Sequence, residues 1–292
     1  MTLAEFLASN PLVLLSLSFI LGLVIGSFLN VVIYRLPLMM ERDWRAQCHE
    51  FLEMPAPLLE GAAFTKFNLA EPGSHCPQCK HAIGAGENIP VFSYVLQGGK
   101  CIHCKSPISP RYPILETVTA VLSTVIAANF GFTWLTLALL VFTWALIVLT
   151  MIDLDRQLLP DDITLPLLWL GLIINSFGML TSIENAVWGA VAGYLILWSI
   201  YWAFRLLTGK EGMGYGDFKL LAALGAWLGW QALPQIILLS SLVGAIVGIG
   251  MIVIKGRDKN IPIPFGPYLA SAGFLALLWG DNISALFFSF MV

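Results

Sequence analysis

Long apolar stretches broken by short polar ones dominate this chain and predict a protein embedded in a membrane. A helix that crosses the roughly 30 Å hydrocarbon core of a bilayer needs about 20 apolar residues. Eight segments are candidates, at residues 12–35, 114–131, 134–152, 163–180, 186–207, 218–230, 234–254 and 267–289. The pattern predicts an all-α polytopic membrane protein with about eight transmembrane helices, of which the sixth is the shortest.

Composition supports this fold class. The chain is 58% hydrophobic and 11% charged, whereas a soluble domain carries about 25% charged residues. The first apolar segment lacks the basic stretch of a signal peptide and is too long for one, so we expect a retained helix. Its Gly22 and Gly26 form a GxxxG pair, which indicates either a close helix contact or ordinary small residues in a membrane span.

The basic residues predict the orientation of the chain. All 15 Lys and Arg lie in or beside four connections, those that follow the first, third, fifth and seventh apolar segments. Cytoplasmic connections of membrane proteins are enriched in Lys and Arg. We therefore expect these four connections in the cytoplasm and both termini on the opposite side of the membrane.

One large polar segment, residues 37–112, holds all five cysteines and all four histidines. We expect it to be a cytoplasmic domain between an N-terminal transmembrane helix at 1–36 and a membrane core at 113–292. Two CxxC motifs stand out, with 21 residues between them. They supply Cys76, Cys79, Cys101 and Cys104.

This cysteine spacing is typical of a four-cysteine zinc site, because each CxxC turn directs two thiolates to one point. Four thiolates leave no open position for water, so the zinc would be structural. A redox pair or unliganded thiols are the alternatives, although a reducing cytoplasm disfavours disulfides. Cys48 stands apart as an ordinary thiol. The histidines beside the motifs are expected at the surface, namely His75, His81 and His103.

Acidic residues at the cytoplasmic edge of the membrane are the candidate catalytic groups. Asp153 and Asp155 close the third apolar segment, and Asp217 precedes the sixth from the same side. Two residues along a helix differ in direction by about 200°, so only one of the first two can face Asp217. Asp153 with Asp217 is the candidate pair, whereas Asp161 and Asp162 are expected to cap the fourth helix.

Two carboxylates held close together share one proton, so that one activates a water while the other polarises a scissile carbonyl. The stretch "GMGYGDFK" at 212–219 places three glycines before Asp217, which permit unusual backbone angles and leave room for a peptide. A nucleotide loop is excluded because this GxGxG follows a membrane helix and not a β-strand. Ion translocation and a structural role are alternatives for the acids. Glu116 and Lys219 receive no role.

These motifs together resemble the type IV prepilin peptidases, the bifunctional leader peptidase/N-methyltransferases of bacterial pilus and type II secretion systems. The resemblance extends over nearly the whole chain. It rests on the paired CxxC motifs and on "GSFLNVVIYRLP", "ENIPVFSYVLQGGKC", "ISPRYPILE", "IDLDRQLLPD" and "GYGDFK".

The resemblance implies a multi-pass protein of the bacterial inner membrane with catalytic aspartates Asp153 and Asp217 at the cytoplasmic face. It implies prepilins and pseudopilins as substrates, cleaved after a glycine. The new N-terminal residue is then N-methylated with S-adenosylmethionine. The domain at 37–112, with zinc on its four cysteines, would contribute to methyl transfer, and 113–292 would be the peptidase core.

Membrane lipid is a further expected partner, and no nucleic acid is expected. No residue of a methyl-donor pocket can be assigned from the sequence. The alternative functions are a transporter that uses the acids for ions and a non-enzymatic assembly factor that docks partners through the zinc domain.

Overall fold

The computed structural model describes residues 3–53, 67–210, 212–255 and 263–291. These residues form α-helices joined by turns, and they contain no β-strand beyond two isolated bridges. The helices are α1 Leu3–Ser9, α2 Pro11–Phe51, α3 Phe92–Leu96, α4 Arg111–Phe130, α5 Trp134–Arg156, α6 Asp161–Ser176, α7 Ile183–Thr208, α8 Tyr215–Leu228, α9 Leu233–Lys255 and α10 Gly266–Met291. The all-helical membrane fold class expected from the sequence is confirmed.

Each of the eight apolar segments falls in one of the long helices, from α2 and α4 through α10. Five stretches among the described residues are long and apolar enough to cross a membrane: Pro11–Phe51, Arg111–Phe130, Trp134–Arg156, Ile183–Thr208 and Trp230–Met251. Helices α6 and α8 have 16 and 14 residues, so at about 1.5 Å per residue they reach only about 24 and 21 Å. The count of eight spans stays a prediction.

The chain divides into two compact units, residues 1–136 and 137–292. In the first unit α2 packs along α4. A Cβ on Gly22 would lie 2.5 Å from the Cα of Ala120, and one on Gly26 would lie 2.7 Å from the Cα of Glu116. The GxxxG pair is therefore a helix contact, because only glycine lets the two backbones approach so closely.

Helix α2 continues to Phe51, well beyond the end of the first apolar segment. Near that end the buried Arg35 donates hydrogen bonds to the carbonyl oxygens of Asn68 and Pro72, at 3.0 and 2.6 Å. Its guanidinium thus ties the stretch that leads into the first CxxC motif to the helix.

In the second unit α8 is a short central helix that contacts α6, α7 and α10. Every residue from Asp217 to Trp227 is buried except Lys219. The C-terminal end of α8 is closed by Asn175, whose side-chain amide donates to the carbonyl oxygens of Ala226 and Trp227 at 2.8 and 2.9 Å. Surrounding helices shield α8, so it does not need the length of a lipid-exposed span.

Candidate active site and metal centre

The four cysteines of the CxxC motifs come together in the first unit. Their sulfur atoms all lie within 4.8 Å of one another. Cys76 Sγ is 3.7 Å from Cys104 Sγ, and Cys79 Sγ is 4.0 Å from Cys101 Sγ. Four sulfurs about 2.3 Å from a tetrahedral zinc would lie about 3.8 Å apart. The cluster therefore has the donor set and the spacing to hold a metal ion.

Each half of the cluster is built by the same local turn. In both, the lysine after the second cysteine donates its backbone N–H to the carbonyl oxygen of the first cysteine, at 3.0 Å. These lysines, Lys80 and Lys105, have φ of 60° and 59°, a backbone region that non-glycine residues seldom adopt. The repeated geometry shows that each CxxC segment forms its half of the site through its own backbone hydrogen bonds.

The backbone of the first turn favours the thiolate of Cys76, whereas desolvation and the neighbouring thiols raise the pKa of Cys79 to about 11. The N–H groups of Cys79 and Gln78 lower the pKa of the Cys76 thiol to about 6. The Ser106 hydroxyl lies 3.0 Å from Cys104 Sγ and 3.7 Å from Cys76 Sγ, and it lowers the pKa of Cys104. Thiolates are the metal-binding form of cysteine. Ser106 was missed in the sequence because no spacing rule marks a hydroxyl beside a cysteine cluster.

The histidines beside the motifs lie outside the group of four sulfurs. The rings of His81 and His103 stack with centroids 3.8 Å apart, and His81 Nε2 lies 3.6 Å from Glu87 Oε2. Cys48 is exposed on α2. Cys48 and these histidines therefore stay outside the group of sulfurs, and the choice of four cysteine ligands stays a prediction.

Asp153 lies in the last turn of α5 and is only 5% exposed, whereas Asp155 is exposed. Asp153 Oδ2 accepts a hydrogen bond of 2.9 Å from the backbone N–H of Gly266, the first residue of α10. Gly266 was not singled out in the sequence. Its one signal is the segment "PFGP", where prolines surround a helix start.

Asp217 lies in the first turn of α8 and is 7% exposed. Its Oδ1 is buried and has no hydrogen-bond partner among the described residues. The two aspartates interact electrostatically, and Leu159 connects their surroundings. A Cβ on Gly216, beside Asp217, would lie 2.7 Å from the Leu159 side chain, and one on Gly266 would lie 3.1 Å from it. Helices α5, α8 and α10 thus meet at one end of the second unit.

Two of the glycines of "GMGYGDFK" make room for neighbouring side chains. Gly214 has φ of −80° and Gly216 lies within α8, so the expectation that the glycines supply unusual backbone angles is wrong for these two. A Cβ on Gly212 would lie 2.8 Å from the Phe204 ring. Together with the close approach of Gly216 to Leu159, this shows that two of the three positions are too crowded for a side chain.

Lys219 binds Asp161. Its ammonium lies 2.7 and 2.6 Å from the two carboxylate oxygens, with both side chains partly exposed. Asp161 stands in the first turn of α6 and not at the N-cap, which is Pro160, so the capping expectation is wrong for this residue. Asp162 is likewise in the first turn. The ion pair joins the segment after Asp153 to the helix that carries Asp217.

Glu116, the other acid without a role, is buried in the first unit. Its Oε2 accepts the backbone N–H of Val91 at 2.8 Å. Val91 has φ of 61°, a strained value for a β-branched residue. Glu116 thus holds the segment just before α3 in place.

Comparison with known proteins identifies the family. A family model described as "Type IV leader peptidase family" matches residues 140–249, and one described as "Bacterial Peptidase A24 N-terminal domain" matches residues 20–130. Proteins named "Prepilin leader peptidase/N-methyltransferase" match end to end. The one from Stutzerimonas stutzeri is 59% identical and the one from Pseudomonas aeruginosa 55% identical, each with 99% of both chains covered. The chain belongs to the type IV leader peptidase family. No solved structure matches it.

The two family matches divide the sites between them. The N-terminal domain match contains the cysteine cluster, and the peptidase match contains Asp153 and Asp217. Gly266 lies beyond the end of both matches. The chain is therefore a multi-pass membrane peptidase of the type IV leader peptidase family, with a cysteine cluster able to bind metal.

Proposed function

We propose that this chain removes the leader peptide from type IV prepilins and type II secretion pseudopilins at the cytoplasmic face of the bacterial inner membrane, with Asp153 and Asp217 as the catalytic pair. It then N-methylates the new N-terminal residue with S-adenosylmethionine. The observation that carries the peptidase proposal is the burial of two carboxylates, at the end of α5 and the start of α8, where these helices and α10 pack around Leu159.

Two buried carboxylates in electrostatic contact share a proton at lower cost than both ionise. The ionised member takes a proton from water, and the water oxygen attacks the carbonyl carbon of the scissile peptide bond. The protonated member donates a hydrogen bond to the carbonyl oxygen, where negative charge develops. The C–N bond then breaks, and the leaving amine takes the proton that the first carboxylate accepted from water. One carboxyl group is then protonated and the other ionised, as before the reaction.

The position of the aspartates favours this reaction over ion translocation. Acids that carry ions through a membrane are expected near its midplane, between repeated halves. Asp153 and Asp217 stand instead at helix ends, in the last turn of α5 and the first turn of α8. A substrate helix can remain in the bilayer while its leader reaches such an edge.

Zinc is the metal we propose for Cys76, Cys79, Cys101 and Cys104, since four cysteines in tetrahedral spacing are a common structural zinc site. Zinc would there join the two turns and stabilise the domain at 37–112. The relatives' names support methyl transfer by the whole chain, and we assign a part in it to this domain. The accepting α-amine must be neutral, and its ordinary pKa is about 7.7–8.0.

The distribution of Lys and Arg supports a cytoplasmic location for the catalytic end, with both termini in the periplasm. Membrane lipid would surround the apolar faces of the outer helices. The deciding experiment is incubation of the purified protein with a prepilin and S-adenosylmethionine, followed by intact mass measurement. We expect loss of the leader and then gain of one methyl group. An unprocessed prepilin would contradict the peptidase proposal, and leader loss without methylation would contradict the second activity.

A further inference from the structure

The N-terminus of α10 lies against Asp153. Gly266, the first residue of this helix, is buried and is 113 residues away in sequence. Its backbone N–H donates to Asp153 Oδ2 at 2.9 Å. The first N–H groups of a helix have no partner within the helix, and the next residue, Pro267, has no N–H at all. The Gly266 donor is therefore free for the carboxylate.

Glycine is required at this position for space. Gly266 does not have positive φ, so its backbone conformation suits any residue. A Cβ at this position would lie 2.7 Å from Asp153 Oδ2 and 3.1 Å from the Leu159 side chain. The first contact is with a short side chain whose oxygen is the proposed reacting atom. Any larger residue would displace that oxygen.

The two aspartates differ in their hydrogen bonds. Both lie beside the positive end of a helix, Asp153 against the start of α10 and Asp217 in the first turn of α8, and both positions stabilise a negative charge. At Asp153 one carboxylate oxygen also accepts a backbone N–H. Asp217 Oδ1 is buried and has no hydrogen-bond partner among the described residues. A buried oxygen without a hydrogen-bond donor destabilises the charged carboxylate more than the neutral carboxyl, so this environment favours the protonated form of Asp217.

We propose that the first turn of α10 is part of the catalytic centre: the N–H of Gly266 positions Asp153 as the carboxylate that activates water, and Asp217 carries the shared proton. This inference rests on the proposed peptidase function and adds to it a residue and an order of roles. Gly266 acts through Asp153 and is a positioning residue.

The first test replaces Gly266 with alanine in the full-length protein. We expect kcat for leader cleavage to fall about 100-fold, since a misplacement of about 1 Å costs that much, while KM and the melting temperature stay close to wild type. Gly250→Ala is the matched control, because a Cβ on Gly250 meets nothing within 4 Å. A wild-type kcat in Gly266→Ala would overturn the positioning role.

The second test does not depend on that variant and uses infrared spectroscopy of the purified protein at neutral pH. We expect the band of a protonated carboxyl to vanish in Asp217→Asn and to persist in Asp153→Asn. The reverse pattern would overturn the order of roles. If Asp153→Asn still cleaves prepilin, the proposed function itself fails; if it does not cleave while Gly266→Ala does so normally, only this inference fails.

Discussion

The cysteine cluster and the aspartate pair are assembled in opposite ways. Cys76 and Cys104, at the two ends of the cluster, are 28 residues apart, and each CxxC turn is shaped by its own backbone hydrogen bonds. The aspartates are 64 residues apart, and Gly266 is a further helix away. Three helices must pack together before these groups meet.

The difference teaches how far a motif specifies a site. A CxxC turn directs two thiolates to one point wherever the segment lies. The metal site therefore forms as soon as the two turns come together. The local sequence does not fix the surroundings of an aspartate at a helix end. Its burial and its partners depend on close helix contacts, such as that of Gly216 with Leu159. The two sites should therefore fail separately, which the following variants test in order of expected effect.

The largest effect is expected from Asp153→Asn and Asp217→Asn. Each should reduce leader cleavage by on the order of 10³-fold, since a positioned acid or base contributes about 10²–10⁴-fold. Metal content should not change, because the cysteine cluster is built elsewhere in the chain. Cleavage is measured by intact mass over time. Asp155→Asn is the matched control at the same helix end, and an equal loss in that variant would contradict the choice of Asp153.

Replacing Cys76 and Cys101 together by serine should break the other site. Two ligands cannot hold zinc as four do, so metal content should fall from about one zinc per chain to near zero. Methylation should fall at least about tenfold, with a smaller effect on leader cleavage. Metal analysis of the purified protein checks the first point, with Cys48→Ser as a control that keeps its metal. Zinc that persists in the double variant would contradict the site.

A smaller effect is expected from the ion pair of Lys219 with Asp161. A partly exposed ion pair is worth about 0.2–1 kcal/mol, so Lys219→Ala and Asp161→Ala should each lower kcat by no more than about fivefold. The exchanged pair, Lys219→Asp with Asp161→Lys, should recover most of the loss. If Asp161→Ala is harmless while Lys219→Ala is not, the lysine acts through another group, such as a lipid phosphate.

The smallest effect concerns the pH at which the cysteine cluster releases metal. The thiolate is the metal-binding form of cysteine, so protonation of the ligands on acidification should release the metal. Ser106→Ala removes a hydroxyl that lowers the pKa of Cys104, so release should move to higher pH, by less than about one unit. A coloured zinc chelator measures the midpoint; a shift to lower pH would contradict the role of Ser106.

Helix content and the grouping of the four cysteines were predictable from the sequence. Eight apolar segments indicated the long helices, and the rotation of about 200° between Asp153 and Asp155 required one of them to face away. The structure buries Asp153 and exposes Asp155, while the pairing of Asp153 with Asp217 stays a prediction. The GxxxG pair, by contrast, permitted two interpretations until the contact of Gly22 with Ala120 resolved them.

The sequence by itself determined the elements whose geometry is local: the apolar helices and the two turns that direct four thiolates inward. Only the tertiary structure decided that other helices enclose the short α8, that Lys219 binds Asp161, and that Gly266 donates to Asp153. The physical reason is the distance along the chain between the groups that set each geometry. A turn is set by hydrogen bonds between near neighbours, whereas the aspartate site depends on how closely distant helix surfaces approach, and that depends on every side chain between them.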